Sequence, residues 1–156
     1  MKRIFVSGIL LLFTIMSCFS QIHNFDELCK KYKHYEDVET IKVNRFGCLL
    51  LSMFAGEKSG IAEKFMKKSS SFHLLTCEGS TSKEIQKDVK EFISNSKLEE
   101  LMTVTEKDSE VKIYVQDKDN VIRQLFLAVV DKNDMVFIRV EGKFPLDLIR
   151  DITKEK

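Results

Sequence analysis

The 156-residue chain has no tryptophan, one proline and six glycines. It also has no surplus of charge: 25 Lys and Arg stand against 24 Asp and Glu, a net +1. That balance gives no electrostatic reason to seek nucleic acid or an anionic membrane, so no nucleic-acid partner is expected. So little proline and glycine excludes collagen-like and low-complexity chains. Without tryptophan, and with only three tyrosines, the usual platforms for stacking a sugar ring are scarce. The chain has no G-x-S-x-G elbow, no G-x-G-x-x-G or phosphate-binding loop, and no H-E-x-x-H. No two cysteines are separated by two residues, so neither a thioredoxin-type motif nor a zinc knuckle is present.

What is present is a mixed chain, 44% apolar and 31% charged, which is too apolar for disorder. Its first twenty residues read as a targeting segment. Lys2 and Arg3 precede an apolar run from Ile4 to Met16, too short to span a bilayer, which needs roughly twenty residues. Cleavage after Ser20, leaving Gln21 at the new N-terminus, is favoured. The rival is lipidation of Cys18 in a lipobox, Ile15-Met16-Ser17-Cys18, in which Met16 is an unusual residue. Residues 21–156 then form a single domain of net charge −1. A chain of that size buries about two-thirds of its unfolded surface and needs no staples.

Along that domain, Asn24 and Glu27 have capping-box spacing, and Phe25, Leu28, Cys29 and Tyr32 share one helical stripe. Val38 to Asn44 reads as a strand. The run Cys48 to Ala55 is apolar almost all round and predicts a buried helix ended by Gly56. Ser59 opens a short helix with Ile61, Ala62, Phe65 and Met66 on one face, and Phe72 to Cys77 is a strand. Thr81 and Glu84 form the clearest capping box, ahead of Ile85, Val89, Phe92 and Ile93 at i, i+4, i+7 and i+8. A helical turn over Lys97–Glu100 is expected before the period changes to two.

Strands then follow near Met102–Val104, Val111–Val115, Leu125–Val130 and Met135–Val140, with Leu125–Val130 apolar on both faces as in a covered central strand. Pro145 opens a last helix with Leu146, Ile149 and Ile152 inward. The predicted fold is α+β: an antiparallel sheet of five to six strands, a C-terminal meander, and helices mainly on one face.

Candidate chemistry is sparse. If Cys18 is removed or lipidated, Cys29, Cys48 and Cys77 remain, an odd number that leaves at least one free or paired between molecules. As small buried hydrophobes all three are equally well explained. His23, His34 and His73 share no metal-ligand spacing, so no metal and no cofactor is expected. The meander strands could form an apolar platform if one face stays open, but helices 48–55 and 81–94 are expected to cover it.

The order of E-T-I-K-V-N, C-L-L-L-S-M, S-F-H-L-L-T-C, L-E-E-L-M-T-V, V-K-I-Y-V, I-R-Q-L-F-L-A-V-V and V-F-I-R-V-E-G-K-F resembles the domain-of-unknown-function 4252 family, small exported proteins of Bacteroidota. The resemblance spans about residues 25–153 and implies an envelope location and an α+β domain. It supplies no catalytic residues. The expected function is a non-enzymatic interaction module of the periplasm or envelope, with an envelope protein as partner. The alternatives are a carrier of a small apolar ligand, or a hydrolase acting through dispersed carboxylates or Cys77. Membrane attachment is expected only through a lipidated Cys18.

Overall fold

The computed structural model describes residues 24–54 and 60–154. The expected targeting segment with Cys18, Ser20 and Gln21, and also His23, Gly56 and Ser59, lie outside the described residues. The elements run α1 (Phe25–Tyr32), β1 (Val38–Asn44), α2 (Arg45–Phe54), α3 (Gly60–Lys68), β2 (Ser69–Glu78), α4 (Ser82–Asn95), β3 (Glu99–Glu106), β4 (Ser109–Lys118), β5 (Val121–Asp131), β6 (Asp134–Pro145) and α5 (Leu146–Lys154).

The architecture is α+β, as the patterning predicted. Six strands form one antiparallel sheet in the order β1-β2-β6-β5-β4-β3. The last four strands are the expected meander, and β2 closes the sheet by pairing with β6. Between β4 and β5, Asp119 and Asn120 have φ of 56° and 59°. Two consecutive left-handed residues match the right-handed twist of the flanking strands, and Asn tolerates that conformation better than most residues.

α1 forms where its cap and stripe predict. The Asn24 side chain accepts from the Glu27 amide at 2.9 Å, and Phe25, Leu28, Cys29 and Tyr32 are all buried. α4 buries Ile85, Val89 and Phe92 as its spacing requires, with Ile93 at the margin. Its capping box does not form, however. Thr81 has helical backbone angles, its side chain makes no cap bond, and its hydroxyl goes instead to Asp37. The helical turn expected over Lys97–Glu100 is also absent: Glu99 and Glu100 already pair with β4. Pro145 is the last residue of β6 rather than a helical residue. Leu146 points largely outward, and Leu148 and Ile149 make the contacts that hold α5.

Strand alternation sorts the core into two clusters. One face of the sheet presents Leu75, Cys77, Phe126, Ala128, Met135 and Phe137 to α1 and α4. At its centre the Phe126 ring meets Phe25 and Phe92 edge-on, at centroid distances of 5.2 Å each. The opposite face packs Phe72, Val140, Ile138, Leu125 and Val115 with Phe65 of α3 and with Leu148 and Ile149 of α5. Phe65 stacks on Phe144 at 4.6 Å. Gly142 permits that approach, because a Cβ there would lie 2.4 Å from the Lys68 carbonyl oxygen and 2.5 Å from the Phe144 ring.

Candidate interaction surface

Among the described residues, the second face of the sheet is covered only in part. Register places Val111 and Ile113 of β4 beside Val129 and Leu127 of β5, with Val136 of β6 on one side and Met102 and Val104 of β3 on the other. None of these seven residues belongs to either packed cluster. Met102 and Val104 are 42% and 43% exposed, and the other five are half-buried. The expectation that helices 48–55 and 81–94 cover this platform is therefore overturned. α4 lies on the other face, and α2 sits over β1 and β2 at the far side of the sheet. β5 is central, and helices cover one face along its length but the second face only near Ile122 and Leu125, leaving Leu127 and Val129 outside the packed clusters.

The platform runs out to an open edge. β3 is the last strand of the sheet, and all eight of its residues are exposed. The outer row of backbone N–H and C=O groups on such a strand has no sheet partner and can template a further strand. Glu99, Glu100 and Glu106 bracket an apolar centre of Leu101, Met102 and Val104. A bulge between Glu100 and Met102 breaks the register at one end.

α2 corrects a second expectation. It is helical, but it is not buried. Asn44 starts it by accepting from the Gly47 amide at 2.9 Å, and Gly47 passes so close to β1 that a Cβ would meet Val43 Cγ1 at 2.5 Å. Cys48 and Ser52, one turn apart, are the residues turned inward, while Phe46 is 67% and Met53 72% exposed. Leu49, Leu50 and Leu51 are exposed as well.

A polar cluster lies on the α1 side of the sheet. Asp26 accepts from Arg139 and from Lys42 at 2.7 and 2.8 Å, and its Oδ1 is 2.7 Å from His73 Nδ1. An ionised carboxylate only accepts, so Nδ1 carries the histidine proton. Partial burial works against the charge on Asp26. The hydrogen bonds from Lys42 and His73, with the Arg139 charge, outweigh it and bring the pKa to about 2. Burial lowers the His73 pKa, and its bond to Asp26 offsets part of that. Asp26, Cys29, Lys42 and His73 line a shallow cavity of about 180 Å³.

The sequence profile of the family described as Domain of unknown function (DUF4252) matches residues 32–152. The chain belongs to this family. No curated protein and no solved structure matches the chain. The DUF4252 match begins at the last residue of α1, so Phe25, Asp26 and Leu28 precede it, although they complete the core and the polar cluster.

Among the described residues of this DUF4252 fold, Cys29, Cys48 and Cys77 are unpaired and buried. Burial pushes the Cys29 thiol up to about 12, with the Asp26 charge adding to it. Burial likewise raises Cys48 and Cys77. A protonated thiol is a poor nucleophile, which weighs against a hydrolase acting through Cys77. Among the described residues, no three His, Cys, Asp or Glu side chains converge as a metal site. A cavity under α4, where Val89, Ile93, Ala128 and Phe137 meet Lys90 and Glu110, holds only about 120 Å³. The Asp26 cluster was not legible in the sequence. Its members come from α1, β1, β2 and β6, and no spacing rule links residues separated by up to 113 positions.

Proposed function

We propose that this DUF4252 protein is a non-enzymatic, exported interaction module of the cell envelope that takes a partner protein along β3 and the open half of the sheet. The observation that carries the reading is the β3 edge: a terminal strand with all eight residues exposed, whose apolar centre continues onto a partly covered apolar face. Export rests on Lys2, Arg3 and the Ile4–Met16 run, with cleavage after Ser20 and lipidation of Cys18 as the alternative.

The charge pattern narrows the partner. Three carboxylates flank the apolar centre, so a complementary strand carries lysine or arginine at its ends and apolar residues between. A second copy fits poorly. Antiparallel self-pairing about the middle of β3 sets Glu99 against Glu106, and like charges facing each other across strands are destabilising. An apolar-ligand carrier is supported less, because ligand pockets measure about 300–1,000 Å³, well above the cavity under α4.

The test uses the processed protein as bait for envelope components. Each captured protein is purified and mapped by amide exchange. The reading requires protection of the β3 amides in the complex, and loss of binding in Met102→Asp and Val104→Asp. A complex that leaves β3 unprotected, or that survives both substitutions, rejects it.

A further inference from the structure

The overall charge balance conceals a local segregation. From Arg45 to Lys68 the chain carries Arg45, Lys58, Lys64, Lys67 and Lys68 against Glu57 and Glu63, a net +3. Residues 21–156 carry −1 in all, so the remainder carries −4. The cationic segment is the same one that holds the exposed apolar helix. α2 has no acidic residue, and at 100° per residue its outward arc runs through Met53, Phe46 and Leu50, opposite Cys48 and Ser52. α3 packs beside α2 and fixes itself to the sheet through Phe65, which leaves Lys64 and Lys67 on its outer side with Glu63, and Lys68 exposed at its end. Glu63 pairs with Lys67.

A helix that is apolar around its exposed arc breaks the usual surface pattern. Such breaks mark contact sites. With ten residues α2 is far too short to cross a bilayer, and no helix among the described residues is long and apolar enough to do so. An apolar arc beside a row of lysines is instead the pattern of a helix lying in the boundary between headgroups and acyl chains.

We propose that α2 and α3 form a membrane-surface contact. Phe46, Leu50 and Met53 dip into the acyl boundary of an anionic bilayer, and Lys64, Lys67 and Lys68 meet lipid phosphates. This contact does not depend on Cys18, and it lies across the sheet from the β3 edge, so either proposal can fail alone. The electronegative remainder of the domain is repelled by the same surface, which orients the molecule with α2 and α3 toward the lipid.

The absence of tryptophan makes the test direct. Met53→Trp and, as a control, Leu101→Trp each place a single indole in the processed chain. Phosphatidylglycerol-containing vesicles should blue-shift Met53→Trp emission and expose it to quenching by brominated lipid acyl chains. Leu101→Trp on β3 should not respond. Phosphatidylcholine vesicles should bind far more weakly, and Lys64→Gln with Lys68→Gln should lower partition to the anionic vesicles by about twenty-five-fold, near fivefold per lysine. Phe46→Ser in the Met53→Trp background should abolish the shift while leaving the circular dichroism melt unchanged. An indole at 53 that ignores anionic vesicles overturns the proposal. So does binding indifferent to the lysines, or a dimer in solution that Met53→Asp dissociates.

Discussion

Thr81 donates its amide and its hydroxyl to the carboxylate of Asp37, at 3.0 and 2.7 Å, and so ties the start of α4 to the loop before β1 across 44 positions of sequence. The same loop is fastened again where the Glu78 amide donates to the Asp37 carbonyl at 3.0 Å. The two Thr81 hydrogen bonds hold the Asp37 carboxyl below its usual range. Asp37→Ala should therefore lower the melting temperature more than Glu36→Ala. The gap should be full above the ordinary carboxylate range and close as pH falls through the depressed pKa. Equal melting temperatures for the two variants at neutral pH would show that the tie contributes nothing.

Phe92→Ala should cost about 3–5 kcal/mol in urea unfolding, the usual range for deleting a buried ring. Phe92 is 2% exposed and touches both Phe25 and Phe126. Phe46→Ala, at a site 67% exposed, should cost little. Comparable losses at the two positions would contradict the assignment of α2 as an exposed helix.

Gly142→Ala tests close approach rather than conformational freedom. The added methyl group meets a backbone carbonyl, which cannot swing aside as a side chain can. A loss of about 1–3 kcal/mol is expected, with the damage confined to α3, β6 and α5. Amide exchange that rises evenly over the whole sheet would locate the strain elsewhere.

Acid should weaken the α1–sheet contact in two steps. The His73 pKa is depressed, so its contribution is complete above about 6.5 and is lost as pH falls below that value. The Asp26 pKa drops from 3.8 to about 2, so its contribution is complete above 3.8 and disappears as pH falls through 2. After allowance for solvent screening, Asp26 supplies about 1 kcal/mol. Asp26→Asn should melt lower than wild type at neutral pH, and the two curves should converge toward pH 2. A constant offset would mean that the carboxylate charge has no part in the cluster.

Amide exchange should be slowest along Leu125–Val130, which pairs on both sides with β4 and β6. The loop around Asp119 and Asn120 should exchange much faster. Similar rates in the two segments would undermine the strand order.

The sequence makes the fold class readable because local patterns and tertiary burial agree over most of the chain. The stripes of α1 and α4 point the same way as the core. The failures share one cause. Cys48–Ala55 reads as buried because apolar composition reports what a residue prefers, and α2 does not satisfy that preference within the described fold. Thr81 and Glu84 have the spacing of a cap, but a carboxylate from a distant loop competes for the Thr81 hydroxyl, and spacing is blind to it. The Asp26 cluster escapes for the same reason, since it exists only once four elements have met.

Phe25, Leu28 and Cys29 lie ahead of the family match yet are sealed inside the protein. The stretch of chain by which relatives are recognised is therefore shorter than the stretch that folds. A gene fragment cut at Tyr32 would keep nearly every family signature and lose the lid over Leu75, Phe126 and Phe137. Its product would be expected to surface as insoluble material, so boundaries for expression belong upstream of Asn24.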